Sequence, residues 1–203
     1  MQAHLHTETY LRSLASDPAT AGKFSYTIIR EGFYSESFPM YIGFPDLQDP
    51  ESRLRVPHDG SGPGIAFAKL DELGEATANL TRQYHASEAE GLPDFRNQDV
   101  ILSGPRAYSL VEVAEILTAA LGEKKVIEPV DVEEYVNLPH VQETLRPFGE
   151  GNVARKWATS FEAVKNGEAA TTGELLEQLL GRAPEPLDVT VKAMLQGVQN
   201  GER

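Results

Sequence analysis

The residues best placed to contact a ligand follow the most strand-like segment of the chain. Residues 26–30 are rich in β-branched and aromatic side chains, which predicts a strand. Their nearly continuous apolar character predicts burial on both faces, as in a parallel sheet. The turn that follows carries Arg30, Glu31, Gly32, Phe33 and Tyr34. Loops at the carboxyl ends of strands are the usual ligand sites of α/β proteins, so this turn is the first candidate site.

These residue types suit different tasks. Gly32 would allow a close backbone approach or a positive φ angle, and the Tyr34 phenol could donate a proton. The alternative interpretation is structural, with Arg30 in an ion pair and Phe33 in the core. The sequence leaves both interpretations open.

Other side chains could complete a site. His4 could donate or accept a proton, as histidine side chains often do in catalysis, although its place near the chain end favours a surface histidine. Phe38, Tyr41 and Phe44 could line an aromatic pocket, because ligand pockets are mostly apolar. The same three rings could instead hold their own loop in place.

Composition argues against several classes of protein. The 203 residues include 18 Lys and Arg against 31 Asp and Glu, and the net charge of -13 disfavours nucleic-acid binding. The chain has no cysteine, which excludes disulfides and thiolate chemistry. The histidines lack zinc-like spacing, so no metal site is expected. A polar N-terminus without any apolar run of ~20 residues predicts a cytoplasmic protein with no membrane span.

The remaining patterns alternate between strands and helices, which predicts the α/β class. Helices are expected over residues 4–14, from Asp71 onward, after the capping box Ser109 to Glu112, and in the later apolar repeats up to residue 198. Short strands are expected at residues 65–69, 100–102 and 126–127. Residues 35–64 contain five prolines and predict a long irregular loop.

Several motifs, in order, resemble the NmrA-like and quinone-oxidoreductase-like atypical short-chain dehydrogenases. The family pattern begins with a helix in which a His or Lys stands four residues before a Glu, as His4 and Glu8 do. It continues with Y-T-x-x-R-x-G-x-Y-x-E, which residues 26–36 match. Further matches follow at residues 102–105, 108–109, 121–126 and 180–184. The match covers nearly the whole chain, and the order of the motifs is more specific than any one of them.

The resemblance implies an incomplete Rossmann-like parallel sheet with a small α-rich substrate lobe, and NADP or NAD as the cofactor. Within one 203-residue unit, residues 1–34 and 65–105 would be the remnant of the Rossmann-like domain, and residues 35–64 and 106–203 the substrate lobe. The glycine-rich phosphate loop of such folds has no counterpart here. Residues 60–64 are the only dense glycine cluster, and they predict a flexible surface turn.

The resemblance also implies roles for the candidate residues. Arg30, Glu31, Gly32 and Phe33 would bind the cofactor, Tyr34 and His4 would be catalytic, and Phe38, Tyr41 and Phe44 would bind an aromatic substrate.

Two functions follow from the resemblance. The first is an NAD(P)-dependent oxidoreductase, or its substrate-binding portion, that transfers hydride to or from an aromatic or quinone-like small molecule, as in fungal polyketide secondary metabolism. The second is a non-catalytic redox-sensing protein, which the missing glycine-rich loop favours. An uncovered sheet edge would invite pairing with another copy or another chain. Both functions require Ile28 and Ile101 to lie in one parallel β arrangement.

Overall fold

The structure is a computed structural model that describes residues 2–47, 49, 52–90, 94–149 and 152–199. The strands are β1 (Thr27–Glu31), β2 (Phe33–Tyr34), β3 (Leu54–Val56), β4 (Ile65–Ala68), β5 (Gln98–Leu102), β6 (Ala107–Tyr108) and β7 (Ile127–Pro129). The helices are α1 (Gln2–Ser16), α2 (Phe38–Tyr41), α3 (Leu70–Glu90), α4 (Leu110–Leu121), α5 (Val132–Val136), α6 (Pro139–Leu145), α7 (Val153–Lys165), α8 (Leu175–Leu180) and α9 (Leu187–Gln199). Two 3-10 turns occupy Ser35–Ser37 and Arg146–Phe148.

The strands form three small sheets, and three of the four pairings are parallel. β1 pairs with β5, β2 with β4, and β3 with β7 in parallel, while β4 and β6 are antiparallel. Ile28 lies opposite Asp99, and Ile101 lies opposite Arg30, two positions further along the same strand pair. The common parallel arrangement of Ile28 and Ile101 and the α/β class are therefore confirmed.

Two local predictions are wrong. β1 is not buried on both faces, because its residues are only partly buried and Arg30 and Glu31 are exposed. Among the described residues β1 pairs with β5 alone. Residues 35–64 are not one irregular loop, because Ser35–Ser37, α2 and β3 lie within them. Their prolines permit this structure: Pro39 stands in the first turn of α2, where a missing N–H costs no hydrogen bond.

α4 shows how closely local sequence sets a boundary. The Ser109 hydroxyl accepts a hydrogen bond from the Glu112 backbone, and the Glu112 carboxylate accepts one from the Ser109 backbone. Gly122 ends the helix with a φ of 75°, in the left-handed region. The capping box and the glycine stop predicted from the sequence are both confirmed.

Buried apolar side chains form two clusters. One contains residues of β5, α3 and α8, including Leu73, Leu102 and Leu176. The other is larger and joins α2, β3, β4, α4, α7 and α9. α8 thus packs beside the β1–β5 sheet, although the predicted division assigned residues 106–203 to the substrate lobe. The division of this single unit into a Rossmann-like remnant and a substrate lobe stays a prediction.

α1 is attached to the β1–β5 sheet mainly by charge. Glu8 is its one buried residue, and Leu5 and Tyr10 are exposed. None of the helices that the structure describes is long and apolar enough to cross a membrane.

Candidate functional site

The turn after β1 is built by three contacts that fix its backbone. The Gly32 N–H donates to the Leu102 carbonyl at 2.7 Å, which extends the β1–β5 pairing by one residue. A Cβ on Gly32 would lie 3.0 Å from the Ser103 Cβ and 3.2 Å from the Ala66 carbonyl oxygen. Gly32 is therefore needed for close approach between neighbouring strands and not for a positive φ. Glu36 accepts from the Leu70 N–H at 3.1 Å and so ties the segment to the start of α3.

Arg30 has a structural partner. Its Nη2 donates to both carboxylate oxygens of Glu8 at 2.8 Å, and it lies 4.0 Å from Asp99. This is the ion pair that the sequence left open as the alternative for Arg30. A role for Arg30 in cofactor binding stays a prediction. It would require the half-exposed guanidinium to bind the cofactor and Glu8 at the same time.

Tyr34 and Glu31 form a phenol–carboxylate pair at the surface. The Tyr34 hydroxyl donates to the Glu31 carboxylate at 2.9 Å. That hydrogen bond, with the nearby negative charge, raises the pKa of Tyr34 above its ordinary value. The phenol therefore keeps its proton at neutral pH. If Tyr34 donates a proton to a ligand, it must first give up its hydrogen bond to the Glu31 carboxylate. His4 is exposed on α1, and no hydrogen bond or ion pair joins it to Tyr34 in the described part of the chain.

An aromatic cluster stands directly behind the turn. It consists of Phe33, Tyr41, Phe44, Phe67, Tyr108 and Trp157. Phe33 meets Tyr41 edge-on at 5.3 Å, and Tyr41 and Phe44 lie 5.6 and 5.9 Å from Trp157. Two of the three predicted substrate-binding rings are thus brought together with Phe33.

The third predicted ring is placed differently. Phe38 is completely buried in the larger apolar cluster, so it supports the segment from beneath. Burial also raises the pKa of Tyr41 to about 12, which keeps its phenol neutral. The substrate-binding role of all three residues stays a prediction.

Phe44 adopts a backbone conformation that aromatic residues rarely take. Its φ is 54°, in the left-handed region, after Gly43 at 90°. The Phe44 N–H donates to the Pro39 carbonyl at 2.8 Å, and the Gly43 carbonyl lies 3.1 Å from the His140 Nε2. Such strain costs roughly 1–2 kcal/mol and collects at functional sites. The surrounding contacts hold the Phe44 ring against Trp157.

Sequence reasoning missed three polar groups at this site. The Ser35 and Ser103 hydroxyls are buried and find no hydrogen-bond partner among the described residues. The third group is the Trp157 indole N–H, which faces the buried Tyr135 hydroxyl; Trp157 was identified only as part of an apolar helical repeat, and it is the single tryptophan of the chain. Buried polar groups normally form hydrogen bonds, so each of the two serine hydroxyls is a place where a ligand atom or a water could bind.

A dinucleotide needs phosphate-binding N–H groups, and the glycine cluster at residues 60–64 does not supply them. Gly60, Gly62 and Gly64 all have positive φ, but they lie between β3 and β4 and not between a strand and a helix. A Cβ on Gly64 would lie 2.0 Å from the Tyr108 carbonyl oxygen, so this glycine serves packing. Residues 61–63 are exposed, which agrees with a surface turn, and the flexibility of this turn stays a prediction. This glycine cluster thus forms no phosphate cradle, and the described residues contain no group of three His, Cys, Asp or Glu side chains that could hold a metal ion.

Comparisons with known proteins show which fold this chain shares. No family model matches the sequence. An Escherichia coli NADPH-dependent quinone oxidoreductase, solved with NADPH, superposes with a TM-score of 0.64 at 19% identity, covering 94% of this chain and 58% of that one. The triphenylmethane reductase of Citrobacter sp. gives 0.64 at 21% identity, covering 96% and 58%. NmrA, a negative transcriptional regulator solved with NAD, gives 0.52 at 14% identity, covering 89% and 56%. The chain therefore shares a Rossmann-like α/β fold with these proteins.

One relative by sequence is more specific. An NmrA-like family domain-containing oxidoreductase of Aspergillus flavus is 28% identical over 198 residues, which are 96% of this chain and 55% of the relative. The resemblance predicted from the motifs is confirmed. The chain spans little more than half the length of these relatives.

Proposed function

We propose that this chain is the substrate-binding portion of an NAD(P)-dependent oxidoreductase that acts on an aromatic or quinone-like small molecule. The observation that carries the proposal is a chain of ring contacts: Phe33, in the turn after β1, meets Tyr41, and Tyr41 meets Trp157. A flat apolar substrate held against this cluster would lie beside the turn that the resemblance assigns to the cofactor. Stacked or edge-on aromatic contacts favour such a substrate by about 0.5–1.5 kcal/mol each.

The nicotinamide would supply the hydride, and this chain's residues would orient the substrate. Tyr34, hydrogen-bonded to Glu31, is the nearest candidate for holding a proton at the substrate oxygen. A role in fungal polyketide metabolism fits the Aspergillus relative and remains part of the proposal.

Substrate binding can be measured through the single tryptophan. We expect 1,4-naphthoquinone to quench Trp157 emission saturably. Phe44→Leu should weaken this binding about two- to tenfold, because the ring contact at 5.9 Å is lost while most of the volume remains. Phe148→Leu is the matched control, since Phe148 is 70% exposed and lies outside the aromatic cluster. Quenching that never saturates, or an equal effect of both variants, would contradict the proposal.

Cofactor binding needs its own titration, with NADPH and energy transfer from Trp157. A saturable signal supports binding by this chain. No response at millimolar cofactor would remove NAD(P) binding from the proposal without affecting the quinone result.

A second function rests on one comparison. The chain superposes with a TM-score of 0.52 on NmrA, a negative transcriptional regulator solved with NAD, and this similarity suggests a non-catalytic redox-sensing protein. The two functions separate in a turnover assay that follows NADPH oxidation with the quinone present. Binding of both ligands without turnover favours the sensor.

A further inference from the structure

A cavity of about 530 Å³ lies between α6, α7 and the 3-10 turn Arg146–Phe148. Its volume falls within the ~300–1,000 Å³ range of small-molecule sites. Pro139, Glu143 and Arg146 reach it from one side of α6, because residues spaced four and seven apart share a helix face. Val153 and Ala154 reach it from the first turn of α7. The packing of two consecutive helices therefore creates this cavity.

The cavity adjoins the aromatic cluster of the candidate site. Trp157 stands one turn after Ala154 on the same side of α7. Its ring meets the Phe44 ring at 5.9 Å. The α6 side is joined to the same segment, since the His140 Nε2 lies 3.1 Å from the Gly43 carbonyl oxygen. A flat ligand held against Phe44 and Trp157 would therefore extend its substituents toward the cavity.

Arg146 brings a guanidinium to this cavity that no described residue binds. Its side chain forms no hydrogen bond or ion pair with the described part of the chain. Among the described arginines only Arg82 shares this state, and each of the others forms an ion pair with a carboxylate. A free guanidinium offers a planar pair of N–H donors that matches the two oxygens of a carboxylate.

Two oxygen acceptors line the same cavity. The Gln142 side-chain NH₂ group donates to the Val136 carbonyl, which leaves its amide oxygen as an acceptor. The Glu143 carboxylate forms no hydrogen bond or ion pair with any described residue, Arg146 included. A ligand that fits these groups carries one acidic group for Arg146 and a hydroxyl donor for an acceptor.

We propose that this cavity binds the acidic group of a hydroxylated aromatic carboxylate, and that Arg146 is the residue that recognises it. The inference rests on the proposed function, because it narrows the aromatic substrate of that same site to an acid. The aromatic body would lie against Phe44 and Trp157. Its carboxylate would pair with Arg146, while a ring hydroxyl would donate to Glu143 or Gln142. The net charge of -13 does not prevent this binding, because charges beyond the Debye length of ~8 Å are largely screened at physiological ionic strength.

Titration calorimetry with two matched naphthalenes tests recognition of the acid. We expect 3-hydroxy-2-naphthoate to bind about tenfold more tightly than 2-naphthol, which has the ring and the hydroxyl but no carboxylate. Arg146→Gln should weaken binding of the acid about tenfold and leave binding of 2-naphthol unchanged, because only the acid forms the charge-assisted hydrogen bonds. Arg82→Gln is the matched control, since Arg82 is exposed on α3 and also lacks a carboxylate partner among the described residues.

Three results of this titration would overturn the proposal. The first is no binding of the acid up to millimolar concentration. The second is equal affinity of the wild type for the acid and for 2-naphthol. The third is an equal effect of the two arginine variants on binding of the acid.

Two further variants separate recognition from a general loss of structure. Glu143→Gln should tighten binding of the acid about two- to fivefold, because it removes a negative charge from the cavity and keeps an oxygen that accepts the hydroxyl. Arg146→Lys should retain part of the affinity, since the charge remains while the planar donor pair is lost. Weaker binding of the acid by Glu143→Gln than by the wild type would place the acidic group elsewhere and overturn the proposal.

The quinone titration separates this inference from the proposed function. Arg146→Gln should leave the quenching of Trp157 by 1,4-naphthoquinone within about twofold of the wild type, because this ligand has no acidic group. Saturable quenching by the quinone, with no effect of Arg146→Gln on binding of the acid, would refute recognition of the acid alone. Binding of the acid that depends on Arg146, without saturable quenching by the quinone, would contradict the proposed function and support the acid site.

Discussion

Gly32→Ala should destabilise the protein even though it adds a single methyl group. The new Cβ would lie 3.0 Å from the Ser103 Cβ, 3.1 Å from the Ser103 Cα and 3.2 Å from the Ala66 carbonyl oxygen. Two of these three atoms belong to backbone of neighbouring segments, so relief requires the β1–β2 turn to move as a unit. Overpacking of this kind costs about 1–3 kcal/mol. For a chain of this size each kcal/mol lowers the melting temperature by ~2–4 °C, which gives a drop of about 2–12 °C.

Gly74→Ala provides the matched control in the same protein. Gly74 lies on the exposed side of α3, and a Cβ there would meet nothing within 4 Å. Alanine is the better helix former by about 1 kcal/mol, so this variant should melt ~2–4 °C higher than the wild type. Thermal unfolding followed by circular dichroism measures both changes. If Gly32→Ala melts within about 1 °C of the wild type, the turn is not held by close approach to Ser103.

Three further predictions concern single contacts. His58 accepts a backbone hydrogen bond at Nδ1, and burial lowers its pKa below the ordinary ~6.5. As the pH falls, the unfolded chain therefore binds a proton at His58 before the folded chain does, so the free energy of unfolding should be constant above about pH 6.5 and decrease below it. His58→Gln should reduce this pH dependence of the free energy of unfolding, measured by urea titrations across the same range. Ser109→Ala should cost about 0.5–2 kcal/mol in the same titration, because it removes the capping bond to Glu112, and an unchanged midpoint would contradict the capping role. Glu8→Ala should release α1 by removing its contact with Arg30, seen as faster amide exchange over residues 2–16, whereas unchanged exchange would mean that apolar contacts hold the helix.

Much of the fold follows from local patterns. The capping box at Ser109 and the glycine at 122 set the bounds of α4, because both act within one helical turn. The run after residue 26 and the apolar triplet at 100–102 predicted two strands, and they do pair in parallel. Residues 35–64 were harder, because the α2 helix has only four residues and depends on packing in the larger core.

The candidate site divides in the same way. The turn from Arg30 to Tyr34 could be located from the strand signal and the glycine. The contact of Trp157 with Tyr41 and Phe44 could not, because more than 100 residues separate them in sequence and no local pattern encodes such a distance. Whether Arg30 forms a structural ion pair could also be decided only from the structure, since its partner Glu8 lies on a separate helix.

The sequence by itself determined the helix and strand types, the motif order and the acidic character. Propensity and capping act between residues that are close in sequence, and the net charge is simply the sum over all residues. Tertiary structure decided which side chains meet and which buried hydroxyls, among the described residues, find no hydrogen-bond partner. Those features depend on how distant segments pack, and a packed arrangement is fixed by all of its contacts together.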